Sequence, residues 1–193
     1  MTEERRDVRK AKQAIKQAFI DLSIHQDIRK ITVSRILELA DVSRGTFYAH
    51  FKDVYDVQEQ VEDELLKECL ESMGEGDINQ IAEDPYPQVY KCLAFLQNHG
   101  ETIKSLSANG QNSTFLMKYK AILKQGLLDS AHTLEDDATI AILDACIVGA
   151  IVEGALEKMI HAVPLDLETT AKTISLFLSQ GLKGFHESAV AKK

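Results

Sequence analysis

Residues 32–52, TVSRILELADVSRGTFYAHFK, contain two short helical patterns separated by a polar turn. Thr32 is a preferred N-cap residue, and the apolar residues after it recur at helical spacing, which predicts a helix over residues 33–40. Asp41 interrupts the pattern, and Ser43 is placed to cap a second helix with aromatic residues on one side. Two short helices joined by a tight polar turn are the sequence form of a helix-turn-helix.

The start of the second helix carries side chains suited to reading DNA bases, which such motifs contact in the major groove. Arg44 can donate two hydrogen bonds to guanine, Gly45 allows close backbone approach, and Thr46 offers a methyl and a hydroxyl group. Polar residues before and after these three are suited to holding phosphates. The predicted DNA-binding residues are Thr32, Ser34, Arg35, Ser43, Arg44, Gly45, Thr46, Tyr48, His50 and Lys52.

The stretch ITVSRILELADVSRGTFYAHFKD, residues 31–53, resembles the helix-turn-helix of the TetR family of bacterial transcriptional regulators. The resemblance extends over roughly residues 8–60, because a matching first helix with apolar residues at helical spacing precedes the motif. It implies a three-helix DNA-binding domain over residues 1–52 and a helical regulatory and dimerisation domain over residues 53–193. It also implies a homodimer, a palindromic operator in double-stranded DNA, and a small-molecule effector bound in the second domain. Repressors are the usual members of this family, but the loop-rich, glycine-marked middle of the second domain resembles a branch that also includes activators and members with no known ligand, so the sign of regulation and the effector stay open.

Two positions depart from the family pattern. The turn usually carries glycine where this chain has Asp41, and a lysine commonly found three residues after the phenylalanine is Val54 here. Aspartate tolerates left-handed backbone better than most residues, which predicts a slightly different turn, and Val54 removes one phosphate contact. These departures leave a second hypothesis open, in which the helix-turn-helix no longer reads DNA and the chain is a protein-interaction module or co-activator.

The charge of the chain is unevenly distributed. The net charge is −8, but residues 1–52 carry 11 Lys and Arg against 7 Asp and Glu, whereas residues 53–193 carry 11 against 23. A basic end on an acidic body suits a protein that faces phosphates with that end alone. The cationic side chains near the start, some of them within reach of phosphates, are Arg5, Arg6, Arg9, Lys10, Lys12 and Lys16.

Composition and the later periodicity predict an all-α protein. Three prolines and ten glycines in 193 residues are few, and 45% of the residues are apolar. The last two helices are strongly apolar, which suggests a four-helix bundle formed between two chains, although an intrachain core is the alternative. The predicted helices after the motif cover residues 53–73, 88–97, 101–108, 114–132, 138–162 and 167–186, with a loop over residues 74–87.

The sequence predicts a cytoplasmic protein without a membrane partner. The odd number of cysteines, three, fits a reducing compartment, and the N-terminus lacks the apolar core of a secretory signal. The most apolar stretch, residues 145–152, is far shorter than the roughly 20 residues that cross a bilayer.

No motif for an enzyme, a cofactor or a metal site is found in the sequence. Glu153 lies inside an apolar helix, where a buried carboxylate would need a partner in a ligand cavity or across a dimer. Core packing is the alternative for each candidate effector contact, because aromatic and methionine side chains on helices usually fill cores. The candidates for effector binding are Tyr90, Phe95, Phe115, Met117, Tyr119 and Glu153.

Overall fold

The computed structural model describes residues 2–74, 83–107, 113–130, 137–160 and 163–190. Within these ranges every long element is an α-helix, so the predicted all-α class is confirmed. A 3-10 turn, Ile28–Lys30, lies between the first two helices. The helices are α1 Thr2–His25, α2 Val33–Ala40, α3 Arg44–Tyr48, α4 Val54–Met73, α5 Tyr86–Asn98, α6 Gly100–Leu106, α7 Thr114–Ser130, α8 Asp137–Ile160 and α9 Leu167–Val190.

The predicted helix boundaries are close to the observed ones, with one informative difference. The sequence pattern began the helix after the long loop at residue 88, whereas α5 begins at Tyr86 and contains Pro87 in its first turn. Proline is tolerated there because the first helical N–H groups have no intrahelical acceptor. Residues 75–82 of the predicted loop lie outside the described part of the chain.

The chain divides into two compact units. The head unit comprises Met1–Lys67 and Glu101–Phe115, and the body unit comprises Glu68–Gly100 and Leu116–Lys193. The helix α4 begins in the head unit and ends in the body unit.

In the head unit, α1 packs against both α2 and α3. Ile15 and Phe19 are one helical turn apart on α1 and are fully buried together with Ile36 of α2 and Phe47 of α3. Phe51, just after α3, joins the same core. The buried aromatic side chains therefore hold the short helix α3 in place, although five residues would not form a stable helix alone.

Of the six cationic side chains near the start of the chain, Lys16 is not free to reach a phosphate. Its side chain is buried, and its ammonium group lies 2.6 Å from a carboxylate oxygen of Glu64 on α4. Lys16 lies on the α1 face that packs inward, next to Ile15, and its long aliphatic part is covered while the charge is paired. Arg6, Arg9 and Lys10, earlier on α1, are exposed.

In the body unit, α5, α8 and α9 pack against one another. Gly154 of α8 lies close to α9: a β-carbon at that position would come within 2.8 Å of the terminal δ-carbon of Ile174, which would have to move. Among the described residues, no helix is long and apolar enough to cross a membrane.

Candidate nucleic-acid interface

The turn between α2 and α3 is set by two capped helix ends. Thr32 caps α2, because its hydroxyl oxygen accepts a hydrogen bond from the backbone N–H of Arg35 at 3.4 Å. Asp41 ends α2 in the left-handed conformation, with φ of 52°, and is the one non-glycine residue with positive φ in the described part of the chain. Aspartate thus forms a left-handed turn at the position where the resembled family usually carries glycine.

The N-terminus of α3 is fixed by Ser43. Its hydroxyl oxygen accepts a hydrogen bond from the backbone N–H of Thr46 at 3.1 Å and lies 2.8 Å from the Thr46 hydroxyl. Phe47 points into the core, and its ring packs edge-on against Tyr48, whose ring is 53% exposed. The helix therefore buries one face and presents Arg44 and Gly45 on the surface.

Arg44 is held only weakly within the protein. The terminal nitrogen of its guanidinium group lies 3.5 Å from the hydroxyl of Ser34 on α2, which is at the limit of a hydrogen bond. A guanidinium group with so loose a tether keeps its donors available for an external acceptor.

The ten predicted DNA-binding residues lie together on the segment from α2 to the start of α4. Thr46 and His50 are half-buried, and the other eight are exposed. His50 and Lys52 follow the end of α3, and the backbone N–H of Lys52 donates to the Asp56 carboxylate at 2.7 Å. This hydrogen bond lowers the pKa of Asp56, so the carboxylate that anchors the connection stays charged. Contact with DNA by these residues stays a prediction.

Val54 is buried in the head unit and is not part of the surface. The position that carries a phosphate-binding lysine in the resembled family is thus occupied here by a core residue.

Gly45 offers a direct test of close approach to DNA. A β-carbon added there would meet only the Ser43 hydroxyl at 3.8 Å, an ordinary contact, so the fold itself does not require glycine. We expect Gly45→Ala to leave the free energy of unfolding unchanged or to raise it by up to about 1 kcal/mol. We expect DNA affinity to fall at least about tenfold, because the added methyl group blocks the backbone from the groove.

Thermal unfolding followed by circular dichroism and fluorescence anisotropy with labelled DNA measure the two quantities. An exposed alanine substitution elsewhere in the head unit, Gln17→Ala, is the control. Unchanged DNA affinity of the Gly45→Ala variant would show that the backbone at Gly45 does not approach DNA.

The six candidate effector contacts are separated by the fold. Phe95, Phe115 and Tyr119 are buried, whereas Tyr90 and Met117 are exposed. Glu153 is not buried within the chain, because its carboxylate is exposed and forms an ion pair with Lys120 of α7 at 2.7 Å. The apolar pattern around Glu153 is broken by one exposed position on the helix surface. The role of all six residues in effector binding stays a prediction.

The body unit contains a small apolar cavity that the sequence did not reveal. Its volume is about 110 Å³, and none of the six candidates lines it. Its walls come from α4, α5, α7, α8 and α9, with Gln88 as a polar group. The lining residues are Leu70, Met73, Gly74, Pro85, Gln88, Val89, Cys92, Ile122, Leu123, Ile147, Val148, Ile151 and Leu178. Their spacing is that of ordinary core residues, so no signal in the sequence distinguishes residues that line a cavity from residues that fill a core.

Two buried thiols lie in this part of the body unit. Burial raises the pKa of the Cys92 thiol to about 12 and that of the Cys69 thiol to about 11, and it raises the pKa of Tyr119 well above its ordinary value. All three groups are therefore neutral at physiological pH, which keeps the Cys92 side of the cavity uncharged. Among the described residues, no three His, Cys, Asp or Glu side chains are grouped to hold a metal ion.

No protein-family model matches the chain. It is 25% identical over 167 residues to YhgD, an uncharacterized HTH-type transcriptional regulator of Bacillus subtilis, and the match covers 78% of this chain and 85% of YhgD. It is 26% identical over 122 residues to YxbF, a second uncharacterized HTH-type regulator of that organism. That match covers 61% of this chain and only 31% of the length of YxbF.

Solved structures share the fold. A chain from Syntrophomonas wolfei, named as a TetR-family transcriptional regulator, matches with a TM-score of 0.71 over 90% of this chain and 95% of its own length, at 14% sequence identity. The fold is that of TetR-family regulators, and the resemblance stated from the sequence is confirmed.

Proposed function

We propose that this chain, with its TetR-type fold and exposed recognition helix, is a sequence-specific DNA-binding transcriptional regulator. The observation that carries the proposal is the exposed N-terminal end of α3, where Arg44 and Gly45 face outward from a helix anchored by Phe47. The basic charge of residues 1–52 supports it. The left-handed turn at Asp41 keeps the motif intact, which favours DNA binding over the interaction-module hypothesis. The proposal includes a cytoplasmic location, because a bacterial transcriptional regulator acts on DNA there.

Salt dependence tests DNA binding by this surface. The logarithm of the association constant for double-stranded DNA should fall linearly with the logarithm of the salt concentration, with a slope of about −0.9 for each phosphate neutralised. Lys52→Ala should reduce this slope by about one, whereas Lys16→Met should leave it unchanged because Lys16 is buried and paired. Equal effects of the two variants would contradict the proposed surface.

We further propose that two copies associate through α8 and α9. Large apolar side chains on both helices are exposed: Ile142 on α8, and Leu176 and Phe177 on α9. A two-fold dimer would bury each of these side chains on both chains and would present two recognition helices to a palindromic operator. A single head reads too few bases for useful specificity.

Phe177→Glu is expected to dissociate this dimer. Phe177 is 68% exposed in the single chain, so the substitution should leave its folding intact. Loss of two buried phenyl groups and the addition of two facing charges should raise the dimer dissociation constant by at least about a hundredfold. Sedimentation-velocity ultracentrifugation measures the change, and Met117→Glu, an equally exposed apolar position on α7, is the matched control. If the Phe177→Glu variant sediments as the wild type does, α9 is not the interface.

We propose the apolar cavity of the body unit as the effector site. Its small volume and mainly apolar lining favour a small apolar molecule with one polar group facing Gln88. Because α4 supplies Met73 to the cavity wall and follows the DNA-binding segment at its other end, it is the proposed route of communication. The effector would act by binding one arrangement of the recognition helices better than another, and release from the operator is the proposed outcome, as for a repressor. A reporter gene placed behind the operator tests whether the protein represses or activates transcription.

A further inference from the structure

Three sulfur-containing side chains of the body unit come from one face of α4 and from the facing side of α5. Cys69 and Met73 are four residues apart on α4, so they lie on the same side of that helix. On α5, the Sγ atom of Cys92 donates its proton to the Sδ atom of Met73 across 3.5 Å. All three side chains are buried. Two helices thus supply a cluster of sulfur donors.

The hydroxyl group of Tyr119 on α7 belongs to the same cluster. It is buried and interacts with both thiols, that of Cys69 and that of Cys92. Burial raises the pKa of Tyr119 well above its ordinary value, so the hydroxyl keeps its proton and can donate it. A donor shared by two sulfur atoms is suited to stabilise thiolates, as hydrogen-bonding groups do around metal ligands.

The donor set selects the class of ligand. Thiolate and thioether sulfur atoms are soft ligands, which favour Cu(I), zinc and iron–sulfur clusters over magnesium or calcium. Structural zinc sites take four ligands in a tetrahedron, and iron–sulfur clusters take four cysteines. Among the described residues, no third His, Cys, Asp or Glu joins Cys69 and Cys92. Two thiols and one thioether therefore fit Cu(I) best.

A nearby cation offsets the charge of such a site. Two thiolates and one Cu(I) ion carry one negative charge, which is costly in an apolar interior. The ammonium group of Lys91 lies 3.2 Å from the backbone carbonyl oxygen of Met73 and acts electrostatically on Cys92. A positive charge is thus already held beside the sulfur atoms.

Met73 gives an incoming ion both room and a path. Cys92 and Met73 line the apolar cavity of about 110 Å³. Methionine is unbranched and flexible, so its side chain can move into the cavity and uncover the Cys92 thiol. With metal–sulfur bonds of about 2.3 Å, sulfur atoms around a three-coordinate ion lie about 4 Å apart. The observed separation of 3.5 Å needs only a small increase.

We propose that Cys69, Met73 and Cys92 form a binding site for Cu(I). The ion bonds to the three sulfur atoms, both thiols release their protons to solvent, and no electron is transferred. The Tyr119 hydroxyl then donates a hydrogen bond to thiolate sulfur. The site lies at the edge of the proposed effector cavity, and its occupation does not depend on DNA binding.

Anaerobic titration of the full-length chain with Cu(I), in competition with the chromogenic chelator bicinchoninate, tests the proposal. The parent protein is Cys146→Ser, because Cys146 is exposed and would bind soft ions by itself. One ion should bind to each chain. Cys92→Ser should weaken this binding at least about a hundredfold and Met73→Leu about tenfold. Met117→Leu, which changes an exposed methionine of α7, should leave it unchanged.

Three results would overturn the proposal: no Cu(I) retained against the chelator, equal affinity of the parent and Cys92→Ser, or an X-ray absorption spectrum dominated by nitrogen or oxygen ligands. Circular dichroism establishes that each variant is folded. If Cys92→Ser does not fold, the comparison between Met73→Leu and Met117→Leu decides the result alone.

Discussion

Replacing Phe47 by alanine should lower the free energy of unfolding of the head unit by about 3–5 kcal/mol. Phe47 is completely buried, and its ring centroid lies 5.3 Å from that of Tyr48 and 5.6 Å from that of Phe51. Truncation leaves a cavity at the centre of a small core that anchors a five-residue helix. A loss of this size is a large fraction of the stability of an ordinary domain, so DNA binding should disappear with it.

Denaturant titration followed by circular dichroism measures the change. Tyr48→Ala is the matched control, because the neighbouring ring is half exposed and its removal should cost less than about 1 kcal/mol. Equal losses from the two variants would mean that α3 is not held by Phe47.

Replacing Arg44 by alanine should relax sequence preference at one position in each half-site. A bidentate contact from arginine to guanine discriminates against other bases by about 1–3 kcal/mol, which corresponds to roughly 5- to 150-fold in affinity. The weak tether to Ser34 at 3.5 Å means that little is lost within the protein when the guanidinium group is removed. The stability of the folded chain should therefore be almost unchanged.

Affinities for operators that differ at single base pairs measure this effect. Lys52→Ala is the comparison, because loss of a phosphate contact should weaken binding to all sequences similarly. If Arg44→Ala weakens every sequence by the same factor, Arg44 contacts the backbone and not a base.

The head was predictable from the sequence because its local signals agree. The caps at Thr32 and Ser43, the interruption at Asp41 and the spacing of the aromatic residues act over three or four residues, and each is present in the structure. Local consistency of this kind is what lets a short motif be recognised without its surroundings.

The sequence could not supply properties that depend on distant parts of the chain. Lys16 has a charged side chain, but whether it faces solvent depends on Glu64, 48 residues away. Glu153 has apolar neighbours in sequence, yet its exposure is set by how α7 and α8 pack, and its partner is Lys120. One-dimensional periodicity cannot supply either fact.

The apolar cavity of the body unit was also invisible to sequence reasoning, for a related reason. It is lined by residues from five helices, and each of these residues has the type and spacing of an ordinary core position.

Selection of bound sequences from a random pool of double-stranded DNA, with the purified full-length chain at near-physiological salt, tests the central claim most directly. The account predicts enrichment of a palindromic motif whose half-sites are related by the two-fold axis of a dimer. The selected sequence would then serve as the probe for the Gly45, Arg44 and Lys52 variants. No enriched motif, from a chain shown to be folded and dimeric, would contradict sequence-specific DNA binding and would favour the protein-interaction hypothesis.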